Sequence, residues 1–202
     1  MSLSSIILAG GKSSRMGRDK AFLPFKGKPF LRHILETLAP VSSEIIIVAN
    51  KDKSLYEPLW QDLNVKVKFL TDKAPYEGPL NGIATASKAV SNEKVFIATC
   101  DTPIIKPEVI NFLLTKLTGY EGVIPVVNQK FQPLNTVYTK QAINKAQSIF
   151  ERGEKSLMAW IKKLNVLSIE EKDILLYDPK LITYRSLNTP EDYQKFVLEF
   201  EN

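Results

Sequence analysis

A glycine-rich loop after an apolar run near the N-terminus constrains the fold more than any other stretch of this sequence. Glycines let backbone N–H groups approach a ligand with no Cβ in the way, and successive N–H groups in a turn form a concavity that binds anions. The segment therefore predicts a buried strand that leads into a triphosphate-binding loop, with an ordinary glycine-rich turn and solvated cations as the alternative. Its parts are the run Ile6–Ala9, the glycines Gly10, Gly11 and Gly17, and the cations Arg15 and Lys20.

Two better-known phosphate-binding loops do not match this segment. Gly11-Lys12-Ser13 has the letters that end a Walker A loop, but the first glycine of that motif would fall at Ile6, inside the apolar run. The dinucleotide fingerprint G-x-G-x-x-G also fails, because Gly10 and Gly11 are adjacent. The second mismatch disfavours a dehydrogenase.

Apolar runs alternate with helix-like segments along the rest of the chain. This alternation predicts an α/β fold of three layers, α/β/α, with a Rossmann-like, mostly parallel sheet in a single domain over residues 1–202. Strands are expected at 6–9, 44–50, 65–70, 94–99, 122–127, 131–138 and 181–187. Helices are expected at 29–38, 54–60, 83–90, 107–117, 140–152 and 156–164, and after Pro190, while 166–177 suggests a strand and one helical turn.

The composition limits the classes of function. The longest apolar runs have a few residues, far short of the ~20 that span a bilayer, and the N-terminus lacks the pattern of a secretory signal. Cys100 is the only cysteine, so a reducing cytoplasm is the simplest location. A net charge of +5, spread along the chain, suits a polyanionic small substrate and gives no indication of nucleic acid. His33, the only histidine, is expected to be a solvated residue on a helix, so a Ser–His nucleophile and a zinc site have no candidates.

Polar residues follow several of the predicted strands, at the edge where open α/β sheets bind ligands. Asn50 and Asp72 each end one strand, and Asp101 ends another immediately before Thr102-Pro103. Mg²⁺ is usually held by one or two carboxylates together with phosphates and water, so Asp101 is the candidate metal ligand. A turn asparagine at Asn50 and a helix-capping aspartate at Asp101 are the structural alternatives.

Several of these segments together resemble a known family. The stretch from Leu8 to Ala21, Leu-Ala-Gly-Gly-x-Ser-Ser-Arg-Met-Gly-x-Asp-Lys-Ala, is similar to the signature loop of the molybdenum cofactor guanylyltransferases (the MobA family). That family lies within the sugar-nucleotide-type nucleotidyltransferases. Gly78-Pro79-Leu80-x-Gly82 resembles its guanine-pocket segment, and Cys100-Asp101-Thr102-Pro103 resembles its metal-binding motif. Gln132-Pro133-Leu134 and Asn188-Thr189-Pro190 resemble two further family elements, whereas Ser186 stands where the family often has asparagine.

The resemblance implies a nucleotide-diphospho-sugar transferase type of fold and transfer of GMP from GTP to molybdopterin, with release of pyrophosphate. It implies Mg²⁺ as cofactor, and other cofactor-pathway proteins or molybdoenzyme chaperones as partners. The implied catalytic residues are Arg15, Lys20 and Asp101, with Asp101 also the metal ligand. The residues implied to bind the nucleotide are Leu8, Ala9, Gly10, Gly11, Lys20, Asn50, Asp72, Gly78, Pro79, Leu80, Gly82 and Asp101. The residues implied to bind the acceptor are Gln132 and Asn188.

Two classes of alternative remain at this point. The first is a sister enzyme of the same fold that uses CTP or a sugar-phosphate acceptor. The second is a nucleotide-binding protein without catalytic activity. The joint presence of Arg15, Lys20 and Asp101 favours an enzyme, because a binding module could dispense with the metal carboxylate.

Overall fold

A mixed, mostly parallel sheet of seven strands lies between two layers of helices in the computed structural model, which describes residues 2–11, 18–72 and 77–200. The strands are β1 (Leu3–Leu8), β2 (Pro24–Phe25), β3 (Lys28–Pro29), β4 (Glu44–Ala49), β5 (Lys66–Thr71), β6 (Lys94–Thr99), β7 (Gly122–Val127), β8 (Lys130–Phe131), β9 (Thr136–Thr139) and β10 (Val166–Ile169). The helices are α1 (Phe30–Leu38), α2 (Lys53–Tyr56), α3 (Pro79–Ala86), α4 (Pro107–Lys116), α5 (Lys140–Glu151), α6 (Leu157–Ile161), α7 (Glu171–Leu175) and α8 (Pro190–Phe200).

The order of strands across the sheet is β10-β7-β9-β6-β1-β4-β5. The pairs β1–β4, β1–β6, β4–β5 and β7–β10 are parallel. Strand β9 runs antiparallel to both of its neighbours, β6 and β7. The short strand β8 pairs with β7 outside this path, and β2 and β3 form a separate two-stranded hairpin. The mostly parallel character predicted for the sheet is confirmed.

Alternate residues of the central strands enter two different cores, because successive side chains of a strand point to opposite faces. Ile7 and Ile47 belong to one apolar cluster with residues of α1 and α4. Ile6 and Val48 belong to a second cluster with residues of α3 and α5. Helices therefore cover both faces of the sheet, which confirms the three-layer arrangement.

A third apolar cluster attaches the C-terminal part of the chain. Phe196 of α8 and Leu187 pack with Phe25 of the β2–β3 hairpin and Phe30 of α1. The backbone N–H of Leu187 also donates to the carbonyl of Asp101 over 2.8 Å. The packing thus places the segment before α8 beside the carboxyl end of β6.

The predicted elements are mostly present, but several of their bounds differ. The strand predicted at 181–187 is wrong, because Ile182–Tyr184 is a 3-10 turn and β10 is the last strand. The single strand predicted over 131–138 is also wrong, because residues 132–135 interrupt it and Asn135 has a φ of 55°. The helix predicted from Ile83 begins earlier, at Pro79, since proline is favourable in the first turn of a helix.

His33 is less solvated than predicted. Its side chain is only partly exposed, and Nε2 lies 2.7 Å from the carbonyl oxygen of Phe25. The His33 and Phe25 rings also approach to 5.2 Å between centroids. The β2–β3 hairpin folds back onto α1 and covers the imidazole, a contact that helical periodicity cannot reveal.

Glu44, at the first position of β4, forms a buried polar network at the amino edge of the sheet. Its carboxylate accepts hydrogen bonds from the Ser4 hydroxyl over 2.6 Å and from the Ser91 N–H over 2.7 Å, and Lys68 Nζ lies 2.7 Å away. Burial by itself would raise the pKa of Glu44, but the contacts with Lys68, Ser4 and Ser91 lower it to about 2. The ionised carboxylate therefore stabilises the folded state.

We expect Glu44→Gln to lower the free energy of unfolding at pH 7 by about 1–3 kcal/mol, because Lys68 loses a largely buried partner. The folded-state pKa lies below the ordinary value of 4.5, so this stabilisation is complete above about pH 5. It declines as the pH falls from 4.5 towards 2. Urea titrations at pH 7, 4 and 3 measure it, and the difference in stability between the two proteins should become smaller at each step.

Glu57→Gln is the matched control for this experiment. Glu57 pairs with Lys53 one helical turn away, and both side chains are well exposed. Exposed pairs contribute little to stability, so we expect a change below about 0.5 kcal/mol at every pH. Equal effects of the two substitutions would contradict the stabilising role of the Glu44 network.

Candidate active site

The carboxyl ends of β1 and β6 form the point at which the strand order reverses. From β1 the chain continues to β4 on one side and later returns to β6 on the other. Leu8 is paired in register with Val48 of β4 and with Thr99 of β6. All three residues line one cavity at this edge. Open α/β sheets bind ligands in the crevice at such a reversal.

This large cavity has a volume of about 400 Å³, within the ordinary size range of small-molecule sites. It extends from the loop after β1 across the sheet edge to the residues that follow β6. Its lining residues are Leu8, Gly10, Gly11, Val48, Asp72, Gly78, Pro79, Gly82, Thr99, Asp101 and Leu134. Seven residues predicted from sequence to bind nucleotide, in addition to Asp101, are therefore brought to one place.

Two glycines shape the side of the large cavity formed by α3. Gly78, immediately before the helix, has a φ of +93°, a conformation that side-chain-bearing residues rarely adopt. A Cβ on Gly82 would lie 2.8 Å from Cδ2 of Leu8. Glycine at position 82 thus allows α3 to approach β1 at the carboxyl end of the strand.

Asp72 is held against the loop after β1 by a partner that the sequence did not indicate. The buried side-chain amide of Asn81, in α3, donates to Asp72 Oδ1. A Cβ on Gly10 would lie 3.9 Å from Asp72 Oδ2. The carboxylate therefore sits between α3 and the glycine loop, and it contributes negative charge to this side of the cavity.

Asp101 follows β6 and lines the large cavity opposite the glycine loop. Its Oδ1 is buried and has no hydrogen-bond partner among the described residues. Burial raises the pKa of this carboxyl, while the positive charge of Lys20 and the hydroxyls of Thr99 and Ser186 act in the opposite direction. A buried oxygen without a partner is costly, which makes Asp101 the clearest candidate ligand for a cation.

Cys100, next to Asp101, is not suited to nucleophilic catalysis. Its thiol is buried, and burial raises its pKa far above the ordinary range. The thiolate is the reactive form of cysteine. Cys100 therefore remains a protonated, buried side chain, as its position after an apolar strand predicts.

Lys20 connects the glycine loop with the C-terminal part of the chain. Its Nζ donates to Oδ1 of Asn188 over 2.9 Å. The preceding residue, Asp19, caps the 3-10 turn Lys20–Phe22 by accepting from the Ala21 N–H over 3.0 Å. Lys51 Nζ lies 3.0 Å from the other oxygen of Asp19. These contacts fix the backbone that carries Lys20.

A small cavity of about 100 Å³ adjoins the large one and shares Thr99, Asp101 and Leu134 with it. Gln132, predicted to bind the acceptor, lines this small cavity, as does Ser186. The full lining is Thr99, Asp101, Thr102, Gln132, Pro133, Leu134, Asn135, Tyr184 and Ser186. Asp101 thus lies between two compartments, one of which is large enough for a nucleotide.

The other predicted residues that the structure describes do not line either cavity. Ala9 and Leu80 are buried in the two cores, one on each face of the sheet. Asn50 follows β4 and is partly exposed, and Asn188 contacts Lys20. Arg15 falls outside the described residues.

Sequence reasoning missed several lining residues. Thr99 and Val48 could have been found from the parallel register with Leu8, but that register depends on strand order. Asn135 and Tyr184 come from segments that were predicted as strands, and nothing in their local sequence indicates the site.

Comparison with known proteins leads to the family that the sequence motifs resemble. The MobA-like NTP transferase domain matches residues 5–167 of this chain. The chain belongs to the MobA-like NTP transferase family. The probable molybdenum cofactor guanylyltransferase of Methanosarcina mazei is 33% identical over 201 residues, covering 96% of this chain and 89% of that protein. The molybdenum cofactor guanylyltransferase of Desulfosudis oleivorans is 30% identical over 195 residues, with coverage of 96% and 93%.

Solved structures share the fold of this family member. Molybdopterin-guanine dinucleotide biosynthesis protein A from Archaeoglobus fulgidus superposes with a TM-score of 0.78 at 24% identity, covering 95% of each chain. A 4-diphosphocytidyl-2C-methyl-D-erythritol synthase from Anaerococcus prevotii gives a TM-score of 0.76 at 15% identity, covering 100% of this chain and 96% of that one. The nucleotidyltransferase type of fold is thereby confirmed. No helix within the described ranges is long and apolar enough to cross a membrane.

We expect Gly82→Ala to weaken GTP binding by about tenfold, because Leu8 must move to avoid the new methyl group. The displaced leucine would occupy part of the large cavity. Isothermal titration calorimetry with GTP measures the change in Kd. The double variant Leu8→Val/Gly82→Ala is the control, since valine lacks the atom that clashes, and it should recover most of the affinity. Unchanged GTP affinity in Gly82→Ala would contradict this account of the cavity.

Proposed function

We propose that this protein transfers GMP from GTP to molybdopterin and releases pyrophosphate, as a molybdenum cofactor guanylyltransferase. The observation that carries the proposal is the position of Asp101, which lines both the large and the small cavity. A transferase of this kind must hold two substrates on either side of the reacting phosphorus. A carboxylate between two connected compartments meets that requirement, and the relatives named above carry the same activity in their names.

The nucleotide would occupy the large cavity. Gly10 and Gly11 expose backbone at the end of β1, where N–H groups can bind phosphate oxygens. Gly78 and Pro79 begin α3, and Asp72 lies beside them with acceptor oxygens for N–H groups of a base. We infer that the base lies towards α3 and the triphosphate towards the glycine loop and Lys20.

The residues present fit a magnesium ion. The buried, unpartnered Oδ1 of Asp101 is the kind of hard oxygen ligand that Mg²⁺ prefers, and this ion needs only one or two carboxylates when phosphates and water complete its shell. No group of three or more His, Cys, Asp or Glu side chains suited to a metal occurs in the described part of the chain. Asp101 would therefore hold the ion together with the substrate, and the bound ion would supply neutralisation of phosphate charge.

The chain's own residues then act by positioning and charge. Lys20, held by its turn and by Asn188, would offset the negative charge that builds up on the departing pyrophosphate. We assign the same task to Arg15. The terminal phosphate of the acceptor attacks the α-phosphorus, the bond to the β-phosphate oxygen breaks, and pyrophosphate leaves. No general base is required, because the second pKa of a phosphate monoester is about 6 and the attacking oxygen already carries charge.

The proposal also extends to the substrates, the partner proteins and the location of the protein. GTP and molybdopterin are the proposed substrates, and Ser186 and Gln132 lie in the small cavity where the acceptor would enter. Binding to other cofactor-pathway proteins or molybdoenzyme chaperones stays a prediction from the family resemblance. A cytoplasmic location and a single domain over residues 1–202 likewise stay predictions.

Nucleotide preference separates the guanylyltransferase from a cytidylyltransferase of the same fold. We expect GTP to bind at least about tenfold more tightly than CTP, ATP or UTP, because Asp72 can accept from the amino and ring N–H groups of guanine. Calorimetric titration of the four nucleotides in the presence of Mg²⁺ measures this preference. Equal or tighter binding of CTP would exclude the guanylyl assignment and leave the fold unaffected.

Asp101→Asn separates an enzyme from a nucleotide-binding protein. The substitution keeps the shape of the side chain and removes its charge, so turnover should fall at least about a hundredfold. GTP affinity should change much less, because the glycine loop and Lys20 remain. Pyrophosphate release and thermal denaturation are measured on the same sample.

Asp178→Asn is the matched control for Asp101. Asp178 is also a buried aspartate whose Oδ1 lacks a partner among the described residues, but it does not line either cavity. Its Oδ2 accepts from the Thr183 N–H over 2.8 Å, so the control should lower Tm and preserve turnover per folded molecule. The same pattern in Asp101→Asn would refute a catalytic role.

A further inference from the structure

Asn135 joins three separate segments beside the small cavity. It is 2% exposed and precedes β9 with a φ of 55°, a left-handed conformation that asparagine tolerates better than most residues. Its backbone N–H donates to the carbonyl of Ile97 in β6 over 2.7 Å. Its carbonyl accepts from the Tyr184 hydroxyl over 3.3 Å. The residue is therefore fixed in both position and backbone conformation.

The hydrogen bonds of the Asn135 amide determine its orientation. Nδ2 donates to the Thr102 hydroxyl over 2.5 Å and to the carbonyl of Thr183 over 2.7 Å. The Thr102 hydroxyl donates its own proton to the carbonyl of Thr99, so it can only accept from Asn135. Exchange of the amide oxygen and nitrogen would set two acceptors against each other at Thr183. The amide oxygen, Oδ1, is thus the atom left without a hydrogen bond, and it is buried with no partner in the described ranges.

The small cavity accordingly has two unpartnered oxygens among its lining residues, Oδ1 of Asn135 and Oδ1 of Asp101. Buried polar atoms in native proteins almost always have a hydrogen-bond partner. The magnesium ion proposed above would take Oδ1 of Asp101, which leaves Oδ1 of Asn135 to accept a hydrogen bond, and a fully ionised phosphate oxygen has no proton to donate to it. A neutral group with N–H donors suits this environment, and a volume of about 100 Å³ admits the edge of a ring.

We propose that Oδ1 of Asn135 accepts a hydrogen bond from a ring N–H of the acceptor and thereby selects a pterin-type heterocycle. This inference rests on the proposed function, since it assigns the acceptor to the small cavity. The ring edge enters that cavity, and the phosphate of the same molecule reaches the α-phosphorus beside Asp101. Asn135 is a specificity-determining residue in this arrangement, and it takes no part in the transfer itself.

Two substitutions at position 135 separate recognition from support of the fold. Asn135→Gly keeps the left-handed backbone accessible and removes the amide, so the KM for molybdopterin should rise about tenfold, the usual effect of one lost hydrogen bond. The KM for GTP should stay within about twofold. Asn135→Asp keeps an acceptor oxygen but sets its second oxygen against the Thr183 carbonyl, so it should lower Tm while its KM for molybdopterin remains within about threefold of wild type.

Thr183→Val is the control for lost packing in the same region. The Thr183 hydroxyl is buried and accepts from the Lys106 N–H over 3.1 Å, and Thr183 does not line the small cavity. This variant should lower Tm and leave both KM values unchanged. The proposal is overturned if Asn135→Gly and Asn135→Asp both have a lower Tm and a lower kcat, to the same extent in the two variants, with an unchanged KM for molybdopterin. In that case Asn135 only supports the fold. A changed Mg²⁺ dependence with an unchanged acceptor KM would also overturn it.

Binding of 6-hydroxymethylpterin provides a readout that does not need turnover. NMR saturation transfer measures the binding. We expect wild type and Asn135→Asp to bind this neutral pterin, and Asn135→Gly to bind it about tenfold more weakly. If wild type binds pterin in this way but shows no turnover with GTP and molybdopterin, the proposed function fails and the pterin site stands. If wild type turns over but the three proteins bind pterin equally, the inference about Asn135 fails and the proposed function stands.

Discussion

The parallel pairing of β1 with both β4 and β6 is the constraint on which the site depends. Backbone hydrogen bonds hold the three strands in register, so that Leu8, Val48 and Thr99 lie in one row across the sheet. Everything that follows these residues along the chain must then emerge at the same edge. The glycine loop and Asp101 are about ninety positions apart in sequence, and they face one cavity because of that register.

The C-terminal part of the chain completes the site from outside the parallel sheet. Phe196 and Leu187 are buried against the β2–β3 hairpin and α1, and the Leu187 N–H binds the carbonyl of Asp101. Burial of apolar surface in this third cluster thus brings Ser186 to the small cavity and Asn188 to Lys20. A substitution that weakened the cluster would loosen the catalytic side of the molecule while leaving the central sheet intact.

The distribution of charge suits the proposed chemistry. Lys20 provides positive charge next to a buried carboxylate, and burial keeps their interaction strong because water screens it less. Asp101 and Asn135 each have one buried oxygen without a partner among the described residues, and both residues line the small cavity. The groups proposed to act on phosphate, Lys20 and Asp101, are thus different from the Asn135 amide oxygen that is proposed to accept from the ring of the acceptor.

The sequence by itself determined the fold class and two parts of the site, the glycine loop and Asp101. Continuous apolar runs such as Ile6–Ala9 and Val95–Ala98 indicated strands buried on both faces, because such strands need no polar alternation. Gly10, Gly11 and Asp101 were identified because each follows an apolar run, at the edge where open α/β sheets bind ligands.

Only the tertiary structure decided which distant residues meet. Lys20 and Asn188 were each singled out, but their hydrogen bond joins positions 168 residues apart. The segments around Asn135 and Ile182–Tyr184 were predicted as strands, because their apolar and β-branched residues favour extended structure. In the folded protein they form the turns that line the small cavity. Local propensity is worth less than about 1 kcal/mol per residue, whereas burying one large apolar side chain is worth about 1.5–3 kcal/mol, so long-range packing determines these segments.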